Sequence, residues 1–383
     1  MFPEFNIHST PLLFLIVQSL IFAFLLTSRY LKQKHISDLL MVFLLLSIAY
    51  EGLSFTIAYM GWHDTFINSK IYYFLISTGL LSGPLIYLYI RTLLNAPFRL
   101  TRKDYWHFAP MISHLIYRIF ILIYDCSQEN WLEGFDGELF EAVHISYMSI
   151  VIRLLEYSSV LLYLAFTVQL FTRHKRRIKQ FFSNTYQLEL KWIQLFLSVF
   201  FFLFIYHTIT DLADAIIEEL SYIHSWCYRF AEAGIMVFFG LKAYFTNLQK
   251  LEALSYEDTG KVTTAARQKS YTTEMQVLSE FLINEKAYLK ADFTLAELAK
   301  SLNMNTHEVS EVINSGFGVN FNEWINSFRV EEVKKKLNDP ANDHISILGI
   351  AFDCGFNSKA TFNRIFKQLT GSSPSDYKRN RNI

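Results

Sequence analysis

Residues 345–379 read ISILGIAFDCGFNSKATFNRIFKQLTGSSPSDYKR. Their apolar spacing describes two short helices around a glycine turn. Ile345, Leu348, Ile350 and Ala351 form the apolar face of the first, which Gly355 ends. Ser358 is placed to cap the second, which buries Phe362, Ile365, Phe366 and Leu369. Gly371 and Pro374 close that helix before a basic tail, Tyr377-Lys-Arg-Asn-Arg381. Two short helices joined by a tight turn follow the helix-turn-helix plan.

The same plan stands once more upstream. Thr294-Leu-Ala-Glu297 is a capping box, with Thr294 as N-cap and Glu297 three residues on. It opens a short helix burying Leu295, Leu298 and Ala299. A turn at Leu302-Asn303-Met304 leads to a second helix, capped by Asn305 or Thr306, that buries Val309, Val312 and Ile313. A longer helix over about Asn320–Asn338 joins the two halves, with Phe321, Trp324, Ile325, Phe328 and Leu337 as its apolar stripe and Asp339-Pro340 as its stop.

Together, FTLAELAKSLNMNTHEVSEVIN, GVNFNEWINSFRVEEVKKKL and the 345–379 stretch resemble the DNA-binding domain of the AraC/XylS family over roughly Met275–Arg379. The second half lies close to the family signature. The first half departs from it: Glu311 and Asn314 stand where basic residues are frequent. The resemblance implies two helix-turn-helix subdomains on one rigid helix, each laying a recognition helix in a major groove of promoter DNA. Carried across residue by residue, it assigns base reading to His307, Ser310 and Glu311 in the first half. In the second half it assigns base reading to Lys359, Ala360, Thr361 and Arg364, and phosphate contacts to Lys367, Lys378 and Arg379. A connector of this length spans ~27 Å, compatible with grooves one turn, ~34 Å, apart. From Cys354 onward the basic residues are Lys359, Arg364, Lys367, Lys378, Arg379 and Arg381, against the single acid Asp376. Phosphate affinity is therefore expected mainly from the second half.

Upstream again, residues 250–272 (KLEALSYEDTGKVTTAARQKSYT) are polar and Thr/Gly-containing, and read as a cytoplasmic linker between a domain over 1–249 and the DNA-binding domain over 273–383.

The 1–249 region has another character. The whole chain is 52% hydrophobic, 17% aromatic and only 18% charged, with 36 Phe, against roughly a quarter charged in ordinary globular chains. A membrane-spanning helix needs ~20 mainly apolar residues. Such segments lie near 11–27, 39–60, 71–94, 105–124, 145–171, 192–212 and 223–248. The expected fold is all-α: a bundle of seven transmembrane helices followed by a soluble double helix-turn-helix domain. The first segment has no basic region before it and a basic flank after it, so it reads as a span, not a cleaved signal peptide.

Orientation follows from loop charge. Arg29, Lys32 and Lys34 follow the first span; Arg91, Arg99, Arg102 and Lys103 follow the third; Arg173, Lys175, Arg176, Arg177, Lys179 and Lys191 follow the fifth. The alternate loops hold Lys70 and are otherwise acidic, with Glu129, Glu133, Asp136, Glu138 and Glu141 in one and Asp214, Glu218 and Glu219 in another. This places the N-terminus outside and the C-terminus in the cytoplasm of a bacterial cytoplasmic (inner) membrane. The outer loops are too short for a separate sensor domain.

Charges within spans are expensive and generally functional. Glu51, Arg118, Arg153, Glu156, Arg229 and Glu232 are such charges, most of them ~9–16 Å below the outer helix ends. Arg153/Glu156 and Arg229/Glu232 are spaced to pair on one helix face. This layer is either a sensing pocket open to the outside or an ion-pair network that fixes packing. His114, His207 and His224 lack a metal-ligand spacing, and no metal or other cofactor is expected. Gly79 and Gly83, before Pro84, allow close helix approach. Lys242 near the inner end is read as snorkelling. Cys126, Cys227 and Cys354 exclude a disulfide scaffold.

Three functions compete. The first is a non-enzymatic, dimeric transcription regulator in which a small-molecule or lipid signal, read by the bundle, controls the DNA-binding domain. The second is a transporter or intramembrane enzyme with an appended autoregulatory domain, although no HExxH motif or paired intramembrane aspartates support it. The third is an anchor that releases the regulator by cleavage in the linker.

Overall fold

The computed structural model describes residues 5–61, 70–94, 100–129, 131, 137–185, 190–217, 223–246 and 271–381. The linker and the outer-loop acids Glu133, Asp136, Glu218 and Glu219 lie wholly or largely outside these residues. Among the described residues every element is helical, apart from an isolated antiparallel bridge between Phe182 and Thr294. The chain folds as two compact units: Met1–Phe171 with Lys191–Ser255, and Thr172–Leu190 with Tyr256–Ile383.

The first unit contains α1 (Ser9–Gln33), α2 (Ile36–Tyr59), α3 (Gly79–Leu94), α4 (Ala109–Cys126), the start of α5 (Ser149–Phe181), α6 (Lys191–Ile217) and α7 (Ile223–Phe245). Helix α2 is central, with α1, α3 and α7 against it and α6 against α7. Arg29 of α1 clasps Asp38 of α2 and donates to the carbonyls of Ala243 and Tyr244 at the end of α7.

Among the described residues, five helical stretches are long and apolar enough to cross a membrane: Ser9–Gln33, Ile36–Tyr59, Asp104–Cys126, Phe140–Phe181 and Lys191–Asp214. Two of the seven expected spans fall outside this set, for two physical reasons. The third expected span is broken, because a 3₁₀ turn at Lys70–Tyr73 gives way to irregular backbone until α3 begins at Gly79, leaving an apolar helix of 16 residues. The seventh, Ile223–Phe245, carries Arg229, Glu232 and Lys242 within its 23 residues. The fifth is longer than expected. It opens with a π-helical stretch, Phe140–Met148, and α5 then runs 33 residues to Phe181, about 50 Å at 1.5 Å per residue.

Gly79 and Gly83 let α3 approach α5. A Cβ at Gly83 would stand 3.0 Å from the Tyr163 ring, and one at Gly79 2.8 Å from the Glu156 carboxyl carbon.

The second unit contains α8 (Thr272–Glu285), α9 (Leu295–Ser301), α10 (Thr306–Glu311) continued by a π turn (Val312–Gly316), α11 (Phe321–Asn338), α12 (Ile347–Asp353), α13 (Lys359–Thr370) and α14 (Pro374–Arg381). Local signals set its boundaries. Thr294/Glu297, Asn305/Glu308 and Asn320/Glu323 all form reciprocal capping boxes, so Asn305 and not Thr306 caps α10. Ser346 and Ser358 cap α12 and α13. The basic tail lies in a helix, α14. Helix α11 serves two cores. Phe321, Trp324 and Ile325 pack with Leu278, Leu282, Leu295, Leu298, Val309 and Ile313. Val330, Val333 and Leu337 pack with Ile350, Ala351, Phe356, Phe362 and Phe366.

Candidate nucleic-acid interface and intrabundle polar sites

Each helix-turn-helix half presents its second helix on a capped N-terminus. In the second half, the Thr361 amide donates to Ser358 Oγ at 3.5 Å, which starts α13 so that Lys359, Ala360 and Arg364 face outward with Thr361 half-buried. Phe362, Ile365 and Phe366 hold the opposite face in the core. Lys359, Arg364 and Lys367 are exposed and form no ion pair among the described residues. Lys378 and Arg379 do: Lys378 lies 3.7 Å from Asp343 and Arg379 donates to Asp376 at 2.8 Å. Three cations without an ion pair among the described residues, Lys359 in the first turn of α13, Arg364 in its middle and Lys367 in its last turn, are a suitable surface for phosphates and base edges.

The first half is built alike but charged differently. His307 and Glu311 are exposed, and Ser310 is half-buried and accepts from the Asn314 amide at 3.1 Å. The Glu311 carboxylate is engaged by Tyr271, whose hydroxyl donates to it at 2.6 Å. That bond holds the Tyr271 phenol above its ordinary range.

The seam between the halves carries a buried cation. Arg329, 1% exposed, donates from Nε to Tyr288 O (2.7 Å) and from Nη2 to Lys290 O (2.9 Å) and Ala291 O (3.2 Å). Burial lowers its guanidinium to about 10, with Asp292 opposing, so it stays cationic at neutral pH. Cys354, in the second core, is a free thiol raised to about 11 by burial.

In the first unit the expected charge layer resolves into local groups. Glu51, Arg229 and Glu232 come together: Arg229 Nη1 donates to Glu51 at 2.9 Å and to Glu232 at 3.0 Å. Glu51 also accepts from the Thr78 amide (2.9 Å) and hydroxyl (2.7 Å), and Tyr50 bonds the backbone at Phe74 and Ile76. These side chains satisfy the backbone where the third expected span unwinds, as irregular backbone in an apolar bundle requires. Arg153 and Glu156 have separate partners: Arg153 lies 3.5 Å from Asp211 on α6, while Glu156 accepts from Ser77 at 2.5 Å. Arg118 donates to Tyr73 O at 3.2 Å and stands 4.9 Å from the Phe140 ring.

Three features escaped the sequence reading. Asp211, inside the sixth expected span, also meets Tyr157 and His207. Buried Asp125 accepts from Tyr73 (2.7 Å) and from the Leu139 and Phe140 amides (2.8 and 3.0 Å), anchoring the start of the π-helical stretch. Beside Arg118, both ring nitrogens of His114, the Tyr117 hydroxyl and His144 Nδ1 are buried and meet no hydrogen-bond partner among the described residues. Their one sequence signal was the histidines themselves. His207 instead stacks on Tyr228 at 4.2 Å, and His224 Nδ1 lies 3.2 Å from the Tyr206 hydroxyl.

Comparison with known proteins bears on the second unit alone. The family model described as a helix-turn-helix domain matches residues 298–380. An uncharacterized HTH-type transcriptional regulator of Staphylococcus aureus (strain COL) is 26% identical over 118 residues, 30% of this chain and 15% of the relative. One of Bacillus subtilis (strain 168) is 28% identical over 89 residues, 23% of this chain and 11% of the relative. The chain thus spans less than a sixth of the length of either relative. No solved structure matches it. The C-terminal unit carries a helix-turn-helix domain of the AraC type.

Proposed function

We propose that this chain is a membrane-embedded transcription regulator of the bacterial cytoplasmic membrane, not an enzyme. Its apolar helices form a seven-span bundle with the N-terminus outside, and its double helix-turn-helix domain reads promoter DNA in the cytoplasm. The observation that carries this reading is the coincidence, over residues 298–380, of the family match with two capped helix pairs fused through α11. The apolar helices support the membrane half by length and composition.

In this reading α13 enters a major groove, with Lys359 and Arg364 at base edges and Lys367, Lys378 and Arg379 on phosphates. The first recognition helix adds His307, Ser310 and Glu311. Glu311 repels phosphate, so the first half contributes selectivity more than affinity. The signal acts in the bundle, at polar groups whose partners can change: the Glu51–Arg229–Glu232 triad and the His114, Tyr117 and His144 atoms that meet no hydrogen-bond partner among the described residues.

The test is to express the chain with a C-terminal tag, fractionate the cells, and sequence the DNA cross-linked to it. The tagged chain should sediment with membranes and enrich discrete promoter fragments. A soluble chain, or uniform genome coverage, would refute the proposal.

A further inference from the structure

Helix α5 ends in a short strap that is docked on the helix-turn-helix domain, within the same compact unit. Phe182 bridges Thr294, and Ser183 donates its amide (3.2 Å) and its hydroxyl (2.5 Å) to Phe293 O. From α11, Asn322 Nδ2 donates to Phe182 O (3.2 Å) and Ser183 O (2.7 Å). Arg329 donates from Nη1 to Ser183 O (3.3 Å) and from Nη2 to Ser183 Oγ (3.1 Å). Asn322 and Arg329 are two turns apart on one face of α11, ~10 Å along its axis. Both grip the same residue of the strap, and Ser183 is 2% exposed.

Arg329 is also the residue at which α11 passes from the first core to the second. Its Nε would lie 2.9 Å from a Cβ at Gly355, a residue held at φ +90 with the Tyr288 and Leu289 carbonyls beside it. Its guanidinium stands 6.0 Å from the Phe356 ring. Two further polar contacts lie at this seam, the buried Tyr288 hydroxyl donating to Glu332 at 3.3 Å and the exposed Asn357 amide donating to Asp292 at 3.3 Å. The guanidinium that Ser183 holds thus sits buried between the Tyr288–Ala291 turn, whose carbonyls it bonds, and the Gly355–Phe356 turn, against which it packs.

We propose that the strap Phe182–Thr185 is a latch: docked on Asn322 and Arg329, it fixes the seam so that both recognition helices meet DNA at once. This rests on the DNA-binding reading above. Two binding elements on one body reinforce each other only while their spacing is held; freeing it returns the complex toward the affinity of one half. The bundle end of α5 thereby gains control of DNA affinity without touching DNA.

The test uses the full chain in lipid nanodiscs and a duplex selected by the parent protein from a random pool. The Ser183 amide should exchange slowly in the parent. In Asn322→Ala it should exchange at least about tenfold faster, with affinity for the full duplex down about tenfold. A duplex carrying only the half-site read by α13 should be bound equally by both proteins. Ser183→Ala leaves Asn322 in place and should show the same split between full and half sites in milder form, which covers the case where Asn322→Ala loses protection in α11. Rapid Ser183 exchange in the parent overturns the docked latch. So does unchanged full-site affinity in a variant whose strap is released. If the parent selects no duplex, the DNA-binding reading fails and the latch's role fails with it, whereas Ser183 protection would still report docking.

Discussion

Arg229 of α7 donates to Glu51 of α2 across 2.9 Å, and the same nitrogen donates to Glu232 at 3.0 Å. One cation is thus shared by two carboxylates, and the two sides of the triad differ in what their removal leaves. Glu51→Gln keeps the shape and leaves Arg229 compensated by Glu232, at the cost of a weakened hydrogen bond, about 1 kcal/mol. Arg229→Gln strands two carboxylates together, which for a buried pair costs about 3–5 kcal/mol. Glu51→Gln should therefore reach normal abundance in membranes while its promoter output becomes constitutive or unresponsive, and Arg229→Gln should be depleted. Blots of membrane fractions beside a promoter reporter check both. Normal abundance and normal response in both variants would remove the triad from signalling.

The His114 site gives a prediction of opposite sign. A buried polar atom without a partner costs about 1–3 kcal/mol, and an apolar replacement of similar shape relieves that cost. His114 is 7% exposed and neither ring nitrogen has a partner among the described residues. His114→Phe should raise the thermal midpoint of the solubilised chain, with a gain of about 1–2 kcal/mol, and should blunt the response to signal. A lower midpoint with an intact response would show that the imidazole serves packing alone.

What the sequence disclosed depended on range. The capped helices of the second unit were legible because their signals are local: Thr294 sees Glu297, and Asn320 sees Glu323, within one turn. Ser183 was not legible, since its partners Phe293 and Arg329 lie more than a hundred residues away and its surroundings read as a basic loop. Hydropathy likewise ran a span through Ile71–Leu94, because it does not register that Glu51 and Tyr50 bond the backbone from Phe74 to Thr78. The six charges were found as residue types, but which carboxylate each arginine meets is a property of helix packing. Arg153 therefore meets Asp211 rather than Glu156.

Orientation is a separate prediction from loop charge. Thirteen Lys and Arg follow the first, third and fifth expected spans, against Lys70 in the alternate loops. A periplasmic reporter fused after Glu133 should be active, and a cytoplasmic reporter should be active after Arg176 and after Gln268. Glu133 and Gln268 lie outside the described residues. A periplasmic signal from the Gln268 fusion would deny the C-terminal domain access to DNA and end the seven-span proposal.

The last prediction separates base reading from phosphate contact on the second half. Arg364 is exposed on α13 without an ion-pair partner among the described residues, while Lys378 is held 3.7 Å from Asp343 and Arg379 is bonded to Asp376. If Arg364 grips a guanine with both nitrogens, Arg364→Ala should cost about 1–3 kcal/mol and relax preference at one base pair. Lys367→Ala should weaken all sequences alike and reduce the salt slope by about one unit. Lys378→Ala and Arg379→Ala should act in the same uniform way but more weakly, because each side chain must give up an acid to reach a phosphate. Titrations over a salt series on the selected duplex and its single-base variants measure all four. A uniform loss from Arg364→Ala, equal to that from Lys367→Ala, would move Arg364 from base edge to backbone. A base-specific loss from Glu311→Ala would shift recognition toward the first half, despite the Tyr271 hydroxyl on that carboxylate.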